Sequence, residues 1–457
     1  MGRFFFDKIL QNDGWKSNIL VTTDISGVIT SIQEGAVQND ALRIDGLAIP
    51  GFQNAHSHAF QYAMAGLAEV HNISHTSDDF WSWRDAMYKL ALSVNPDQME
   101  NIAAMLYAEM LRHGYTNVAE FHYVHHDKNG DKYGNLAEMG SRMIAAAKRT
   151  GIGITLVPIF YQKGGFGKPA TEGQRRFISP NIDSYLQLLD ASNDACRIYS
   201  QANTGIGIHS MRGVEPELIA EIAKSGPQDI PFHIHISEQL KEIEDSLAYL
   251  NKRPVEWLLD NVELSDRFHL VHATHLTKDE THGVAFNETN VVICPSTEGN
   301  LGDGLFPLHD YHSKNGKWSI GTDSHIGINP LEELRLLDYG QRLISHKRNS
   351  FTSESTGNSG EYAINMATIS GRKAMNNFHS DYFSVGQPLN ATVVKSSSPL
   401  LATCSEDNLA SAIIYTSDSS QQSATISNGV HMEGGKCAEY DKITTDFIAT
   451  LNQLKNR

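Results

Sequence analysis

The sequence predicts an α/β fold, a (β/α)8 TIM-like barrel with a small β-rich domain formed from both chain ends. Short apolar runs alternate with amphipathic stretches eight times through the middle of the chain, which is the pattern of buried parallel strands and their covering helices. Both ends read instead as short strands and turns. We therefore expect residues 1–48 and 381–457 to form the small domain and residues 49–380 to form the barrel.

The eight candidate strands are short and mostly apolar, as expected of strands that are covered on both faces. Amphipathic segments at 99–113 and 136–149 are typical of the helices between such strands. A doubly wound open sheet is the alternative, but no G-x-G-x-x-G motif follows an early strand. The strands are predicted at 47–52, 116–121, 152–160, 205–209, 232–236, 268–272, 290–294 and 318–321.

The small domain is predicted because both ends of the chain contain short strand-like runs next to turns. Residues 27–32 follow a glycine turn and read as a strand, and residues 384–394 read as a turn followed by a strand. A serine-rich loop comes next, at 396–398. We expect these segments to pair in one sheet beside the barrel.

Composition limits the partners of the protein. Its formal net charge of -16 argues against nucleic acid and anionic membranes, and an anionic substrate would need a dedicated basic pocket. Four scattered cysteines without a C-x-x-C pair predict reduced thiols. Because the start lacks a signal-peptide core and no apolar run approaches about 20 residues, we expect a cytoplasmic protein.

The segment 50–58 ends in two histidines, His56 and His58. Their spacing places both side chains on one face of a β-strand, where two imidazoles can hold one metal ion. The chain has 21 histidines, so the pair by itself is equally compatible with a solvated histidine cluster at a turn. The ends of the other predicted strands decide between these interpretations.

Three further strand ends carry polar side chains, and barrel enzymes build their sites at these ends. Strand 5 ends in His235 with Glu238 three residues later, strand 6 ends in His272, and strand 8 leads to Asp323. Three nitrogens and one carboxylate suit a divalent metal ion, most simply Zn²⁺, with one position left for water. The predicted ligands are His56, His58, His235 and Asp323.

The predicted chemistry is hydrolysis. Zinc lowers the pKa of its water toward neutrality and so provides a hydroxide that attacks the substrate carbon. Asp323 is placed to accept the proton of that water, and Glu238 is placed to pass a proton to a leaving nitrogen. His272 is expected to assist by bonding the nucleophile or polarising the substrate. For Glu238 the alternative is a surface carboxylate that opens a helix.

One metal ion is expected rather than two. Barrels that hold two metal ions usually bridge them with a modified lysine at the end of strand 4. That end reads Gly-Ile-His-Ser-Met-Arg at 207–212 and contains no lysine.

These residues lie in longer motifs that indicate a family. The chain resembles the metal-dependent amidohydrolases of the deaminase type, and most specifically the formimidoylglutamate deiminases. H-x-H, H-x-x-E and the final aspartate are shared by many deaminases, so the longer motifs discriminate. These are PGFQNAHSHAFQYAMAGLAE at 50–69, DDFWSWRDAMY at 78–88, AEFHYVHH at 119–126, HSMRG at 209–213, HIHISEQ at 233–239, VHATH at 271–275, STEGNLGDGLFP at 296–307 and GTDSH at 321–325. The likeness is weaker toward both ends, for example at Asn390, where many relatives carry an aspartate.

The resemblance implies hydrolysis of N-formimino-L-glutamate to N-formyl-L-glutamate and ammonia in histidine degradation, by a homodimer. This substrate has two carboxylates. Arg84 and Arg212 lie in motifs beside the predicted site, and a guanidinium binds a carboxylate well through its two parallel N–H groups. Likeness to the family adds Gln61, Tyr123 and His209 as substrate-binding residues.

Two other functions stay open at this point. The same metal site could deaminate a cyclic amine (a purine, pyrimidine or triazine), which needs stacking surfaces more than paired arginines. The barrel could also be a scaffold or binding module without activity, although every expected ligand position is filled. The glycine-rich loop expected at 296–304 after strand 7 is either a lid that excludes water or a plain connector.

Overall fold

A computed structural model of the chain describes residues 1–64, 66–69, 80–348, 350–353 and 356–455. Residue 65 of the motif at 50–69 and the first two residues of the motif at 78–88 lie outside this part. Within it, no helix has both the length and the apolar character needed to cross a membrane.

The strands and helices alternate through the centre of the chain. The strands are β1 Gly2–Gln11, β2 Gly14–Thr23, β3 Ile29–Gln33, β4 Leu42–Pro50, β5 Phe52–Ser57, β6 Tyr115–His122, β7 Gly153–Phe160, β8 Ala202–Thr204, β9 Ile206–Ile208, β10 Phe232–Ile236, β11 Phe268–His272, β12 Asn290–Ile293, β13 Lys317–Ile320, β14 Ala391–Val394, β15 Gln422–Ser427 and β16 Val430–Glu433. The helices are α1 Phe80–Ser93, α2 Pro96–Arg112, α3 Glu138–Thr150, α4 Ile182–Cys196, α5 Pro216–Ser225, α6 Leu240–Leu250, α7 Pro254–Asn261, α8 Lys278–Phe286, α9 Pro295–Leu301, α10 Leu308–His312, α11 Pro330–Ser345, α12 Ser359–Ala374, α13 Glu406–Thr416 and α14 Tyr440–Leu454.

Local sequence signals explain several of these bounds. Helix α2 begins at Pro96 because Asn95 caps it. The Asn95 side chain accepts a hydrogen bond from the Gln98 N–H at 2.8 Å, and the Gln98 side chain accepts one from the Asn95 N–H at 3.0 Å. Helix α3 ends where Gly151 adopts a left-handed φ of 88°. Both helices lie where the amphipathic segments predicted them.

One sheet joins the two chain ends, which confirms the predicted small β-rich part of the fold. Its strand order is β16-β15-β14-β4-β1-β2-β3. Strand β4 from the N-terminal part pairs antiparallel with β14 from the C-terminal part, with Leu47 opposite Val394. The C-terminal part also contributes two helices that cover the barrel, since α13 packs on α12 and α14 packs on α2.

The second sheet is the predicted parallel barrel. Its order is β5-β6-β7-β9-β10-β11-β12-β13, and β8 pairs with β7 just before β9, so β8 and β9 are two pieces of the fourth barrel strand. The first and last strands meet where Ser57 and Asp323 form a parallel bridge. The Asp323 N–H also donates to the His56 carbonyl at 3.0 Å. This closure brings the residues at the ends of the first and eighth strands together.

The first barrel strand lies further along the chain than predicted. Residues 47–50, the first part of the strand predicted at 47–52, belong to β4 of the small sheet, and the barrel strand is β5. Hydrophobicity could not separate the two strands because both are buried. The chain passes from one sheet to the other at Gly51, where a Cβ would lie 2.4 Å from the side chain of Thr116. The absence of a side chain at Gly51 allows this close approach.

Candidate active site

The four predicted metal ligands lie together at the C-terminal end of the barrel. The Nε2 atom of His56 lies 3.2 Å from Nε2 of His58 and 3.0 Å from Nε2 of His235. A carboxylate oxygen of Asp323 lies 3.4 Å from Nε2 of His56 and 3.2 Å from Nε2 of His58. All four side chains are buried. Three strand ends that are distant in sequence therefore contribute to one cluster that could hold a metal ion.

The donor atoms of this cluster suit a divalent metal ion. Ligand atoms placed about 2.1 Å from a tetrahedral zinc ion lie roughly 3.4 Å from one another, which is close to the separations observed. Nδ1 of His58 donates to the carbonyl oxygen of Phe121 at 2.6 Å, which orients the ring so that its Nε2 faces the cluster. Burial lowers the pKa of His56 to about 3 and holds the pKa of His235 well below its usual range. Both rings are therefore neutral, as metal binding requires.

The carboxylate of the cluster is ionised. Burial acts to raise the pKa of Asp323, but hydrogen bonds with His56 and His58 outweigh burial and hold that pKa well below its usual range. Three imidazole nitrogens and one carboxylate thus face a common point, which is the donor set expected of a zinc site.

Left-handed backbone conformations mark three of the strand ends around this cluster. Ser237, His272 and Asp323 have φ values of 54°, 69° and 45°. Residues other than glycine adopt such values at a cost in free energy, and they do so where surrounding contacts hold them, often at functional sites. The strained backbone turns the chain sharply after β10, β11 and β13.

Glu238 is part of a buried group of charges rather than a solvated surface residue. It is 5% exposed, and Nη2 of Arg212 lies 3.2 Å from its carboxylate. The same guanidinium approaches the carboxylate of Glu242 through Nε at 3.6 Å. Glu242 in turn accepts hydrogen bonds from the backbone N–H groups of Ser237 and Glu238 at 3.1 and 3.3 Å. Glu242 and Arg212 therefore fix the position of Glu238 just before α6 begins.

His272 lies between two carboxylates. Its Nδ1 is 3.2 Å from Glu298, and its Nε2 is 3.8 Å from Glu238. Burial acts to lower the pKa of His272, but the nearby negative charges of Glu238, Glu298 and Asp323 raise it to about 10. The arrangement thus favours a protonated ring that faces the pocket.

A second group, His272, Cys294 and Glu298, is also close enough to surround an ion. These residues are already hydrogen-bonded, because Glu298 accepts from the Cys294 backbone N–H at 2.9 Å as well as contacting His272. Burial raises the pKa of the Cys294 thiol well above its usual range, whereas a cysteine that binds metal is a thiolate. This group is better described as the support of His272.

A pocket beside the four predicted ligands brings the other predicted site residues together. Nε2 of Gln61 donates to the Tyr123 hydroxyl at 3.0 Å. The Arg84 guanidinium lies 5.5 Å from the centre of the Tyr88 ring. The predicted residues that line the pocket are His58, Gln61, Arg84, Tyr123, His209, Arg212, His235, Glu238, His272 and Asp323.

The pocket also contains residues that the sequence did not single out. Tyr161 lines the wall and its ring centre lies 4.0 Å from that of His209. It directly follows β7, so the rule that barrel sites form at strand ends could have identified it. Glu242 lies one helical turn after Glu238, a spacing that was visible. No local pattern indicates the contact of Glu298 with His272.

The prediction of a loop at 296–304 is wrong for residues 296–301, which are helical, whereas residues 302–304 lie outside helices and strands. Residues 295–301 form helix α9, which ends at Gly302 with a left-handed φ of 69°. Glu298 attaches this helix to the neighbouring strands, because its buried carboxylate contacts His272 Nδ1 and accepts from the Cys294 backbone N–H. Leu301, the last residue of the helix, lines the pocket. The helix therefore forms part of the pocket wall through Leu301.

Gly321 provides the space that His56 occupies. A Cβ at this position would lie 2.7 Å from Cβ of His56 and 3.0 Å from Sγ of Cys294. We expect Gly321→Ala to displace His56 from the other ligands, to lower the metal content of the purified protein, and to reduce the free energy of unfolding by about 1–3 kcal/mol. Metal analysis and thermal unfolding measure the two effects.

Gly327→Ala is the matched control for this substitution. Its nearest neighbour would be the Ser296 side chain at 3.5 Å, an ordinary contact. Metal content in Gly321→Ala equal to that of the control would contradict the expected displacement of His56.

The sequence is similar to those of known amidohydrolases and deaminases. Residues 47–432 match the sequence model of the amidohydrolase family. The chain is 38% identical over 456 residues to formimidoylglutamate deiminase from Pseudomonas aeruginosa. This alignment covers 99% of this chain and 100% of that protein. It is 25% identical over 321 residues to a 5-methylthioadenosine/S-adenosylhomocysteine deaminase from Haloarcula marismortui, with 69% of this chain and 67% of that protein covered.

Solved structures share the fold. A crystal structure of an amidohydrolase from Brucella melitensis superposes with a TM-score of 0.92 at 37% identity, covering 99% of this chain and 100% of that one. A crystal structure of an adenosine deaminase from Xanthomonas campestris, with bound zinc, superposes with a TM-score of 0.82 at 19% identity, and the superposition covers 100% of this chain and 98% of that one. This likeness concerns the fold alone. The chain therefore belongs to the amidohydrolase family, whose members are hydrolases.

Proposed function

We propose that this protein hydrolyses N-formimino-L-glutamate to N-formyl-L-glutamate and ammonia, as a step of histidine degradation. The observation that carries the proposal is the presence of Arg84 and Arg212 in the same pocket as the histidine and aspartate cluster. In a chain with a net charge of -16, two guanidinium groups in one pocket suit a substrate with two carboxylates. Identity to the Pseudomonas aeruginosa formimidoylglutamate deiminase along the whole chain supports the same substrate.

The four clustered side chains would hold one divalent metal ion, with Zn²⁺ as the simplest choice. When bound, such an ion supplies Lewis-acid chemistry, since it makes water more acidic and stabilises developing negative charge. The ligands would be His56, His58, His235 and Asp323.

The protein must also move protons. The terminal nitrogen of the formimino group gains two hydrogens before it leaves as ammonia, and both come from the water that adds to the formimino carbon. A group that accepts a proton from oxygen and returns it to nitrogen is therefore needed. We assign this transfer to the carboxylates of Glu238 and Asp323, both of which line the pocket. His272 assists by directing its Nε2 toward Glu238, 3.8 Å away.

The remaining pocket residues would bind and orient the substrate. Arg212 already holds Glu238 and Glu242, and a guanidinium has five N–H donors in all. Contact of Arg212 with a substrate carboxylate would therefore position that carboxylate relative to the proton-transfer group. Arg84 would bind through a guanidinium that packs against Tyr88. Gln61, Tyr123 and His209 would add neutral hydrogen bonds.

The direct test is ammonia release by the purified, zinc-loaded protein, with metal content measured on the same sample. We expect N-formimino-L-glutamate to have the highest kcat/KM in a panel of formimino amino acids, guanidino amino acids and cyclic amines. Faster release from a purine, pyrimidine or triazine amine would favour a cyclic-amine deaminase. Metal-loaded protein that releases no ammonia from N-formimino-L-glutamate would refute the assignment.

A further inference from the structure

A second cavity adjoins the substrate pocket and leads outward from it. The two cavities share one wall, which is formed by Arg84, Tyr161, His209 and Arg212. From this wall the outer cavity extends to Lys168 and Lys241, both of which are exposed. The outer cavity therefore connects the arginine side of the pocket with the protein surface.

The charge of this outer cavity is opposite to that of the whole chain. Among the described residues that line it, the cations are Arg84, Lys168, Arg212 and Lys241, and Asp245 is the one carboxylate. The chain as a whole has 53 acidic and 37 basic residues. Although Glu238 and Glu242 offset the charge of Arg212, cations outnumber carboxylates among the described residues of this lining. A small anion therefore meets more positive charge at this cavity than the acidic composition of the whole chain would give.

The position of Lys168 is determined by a tight glycine turn. The Gly164 N–H donates to the Lys168 carbonyl at 3.1 Å, and the Lys168 N–H donates to the Gly165 carbonyl at 3.0 Å. Phe166 anchors the turn, because its buried ring packs 5.7 Å from that of Tyr249. The backbone that carries Lys168 is thus held at the rim of the cavity.

Lys241 lies in the first turn of α6 and forms an ion pair with Asp245, one turn later, at 2.6 Å. This pair offsets part of the positive charge that Lys241 contributes. Helix α6 therefore places both Lys241 and Asp245 on the wall of the outer cavity, where the carboxylate offsets part of the lysine charge.

We propose that Lys168 and Lys241 form, with the two inner arginines, an electropositive entrance that attracts the carboxylates of the substrate, and that Asp245 weakens this attraction. The inference rests on the proposed function, since it assumes an anionic substrate. An exposed charge acts on the encounter more than on the chemical step, so the entrance should affect kcat/KM and leave kcat unchanged. The effect should be lost in salt, because the Debye length falls from about 30 Å at 0.01 M to about 3 Å at 1 M.

The test measures steady-state hydrolysis of N-formimino-L-glutamate by the zinc-loaded protein at low and high ionic strength. At low ionic strength we expect Lys168→Met and Lys241→Met each to lower kcat/KM by about 3-fold and Asp245→Asn to raise it by about 2-fold. All three differences should disappear near 1 M salt, with kcat constant throughout. N-formimino-L-glutamine, which has one carboxylate fewer, should show smaller differences.

Lys224→Met is the matched control. Lys224 is also exposed, but it lies near the end of α5 and lines neither the substrate pocket nor the outer cavity. The proposed entrance alone would be overturned if Lys168→Met and Lys241→Met had the same kcat/KM as this control at every ionic strength. It would also be overturned if Asp245→Asn had a lower kcat/KM than the wild-type protein at low salt. A wild-type protein that loads zinc but does not hydrolyse N-formimino-L-glutamate would overturn the proposed function and the entrance together.

Discussion

Glu238→Gln should retain its metal ion and lose most of its turnover. The substitution preserves the size of the side chain and an oxygen that can accept from Arg212, which lies 3.2 Å from the Glu238 carboxylate. It removes the ability to carry a proton to the leaving nitrogen. Loss of a positioned general acid or base typically costs about 10²–10⁴ in rate. We therefore expect kcat to fall by about 10³-fold, with metal content and thermal unfolding unchanged.

Glu244→Gln is the control, because Glu244 lies on the exposed side of α6, the helix that begins two residues after Glu238. It should match the wild-type protein in kcat, metal content and stability. Full activity of Glu238→Gln would remove Glu238 from the mechanism. Loss of metal from that variant would instead show that Glu238 supports the metal site, so metal analysis of the same sample is essential.

Arg84→Met should lower kcat/KM for N-formimino-L-glutamate by about 30-fold or more, because truncating one partner of a desolvated charge pair costs roughly 2–5 kcal/mol. Methionine retains much of the apolar contact with the Tyr88 ring, against which the guanidinium packs. The substitution thus removes the charge with little change in packing. A cyclic amine would not need that charge, so an unchanged kcat/KM would favour the alternative substrate class.

Lys89→Met provides the control for Arg84, since Lys89 is an exposed cation on the same helix. Arg212→Met tests the second arginine, but it also leaves Glu238 and Glu242 without the guanidinium that lies between them. Burying a carboxylate without its partner destabilises a protein strongly. Thermal unfolding of Arg212→Met must therefore accompany its kinetics, and Arg84 is the clearer probe of substrate charge.

The ligand cluster follows from the way a barrel gathers its strand ends. A parallel barrel points the C-terminal ends of all its strands toward one side, so residues at the ends of strands 1, 5 and 8 meet there wherever they stand in the sequence. The spacing of His56 and His58, the position of His235 in an apolar run, and Asp323 after the last run were all visible in the chain. The barrel class was sufficient to predict that they would meet.

Other features depend on contacts between distant segments, and local patterns cannot reveal these. The run at 47–52 is apolar whichever sheet it joins, and pairing with β14 places its first part in the small sheet. Residues 296–301 contain glycine, asparagine and serine, which favour loops, yet the burial of Glu298 against His272 accompanies a helix there. In both cases tertiary contacts outweigh a weak local preference.

By itself the sequence determined the barrel class, the four candidate ligands and the chemistry to test, because buried strands and metal ligands require particular residue types at regular intervals. Only the tertiary structure decided how the charges are paired. Three groupings come from segments that are separate in sequence: Arg212 with Glu238 and Glu242, His272 with Glu298, and the cations around the outer cavity. The energy of a charge depends on its distance from other charges and from water, and those distances exist only once the chain has folded.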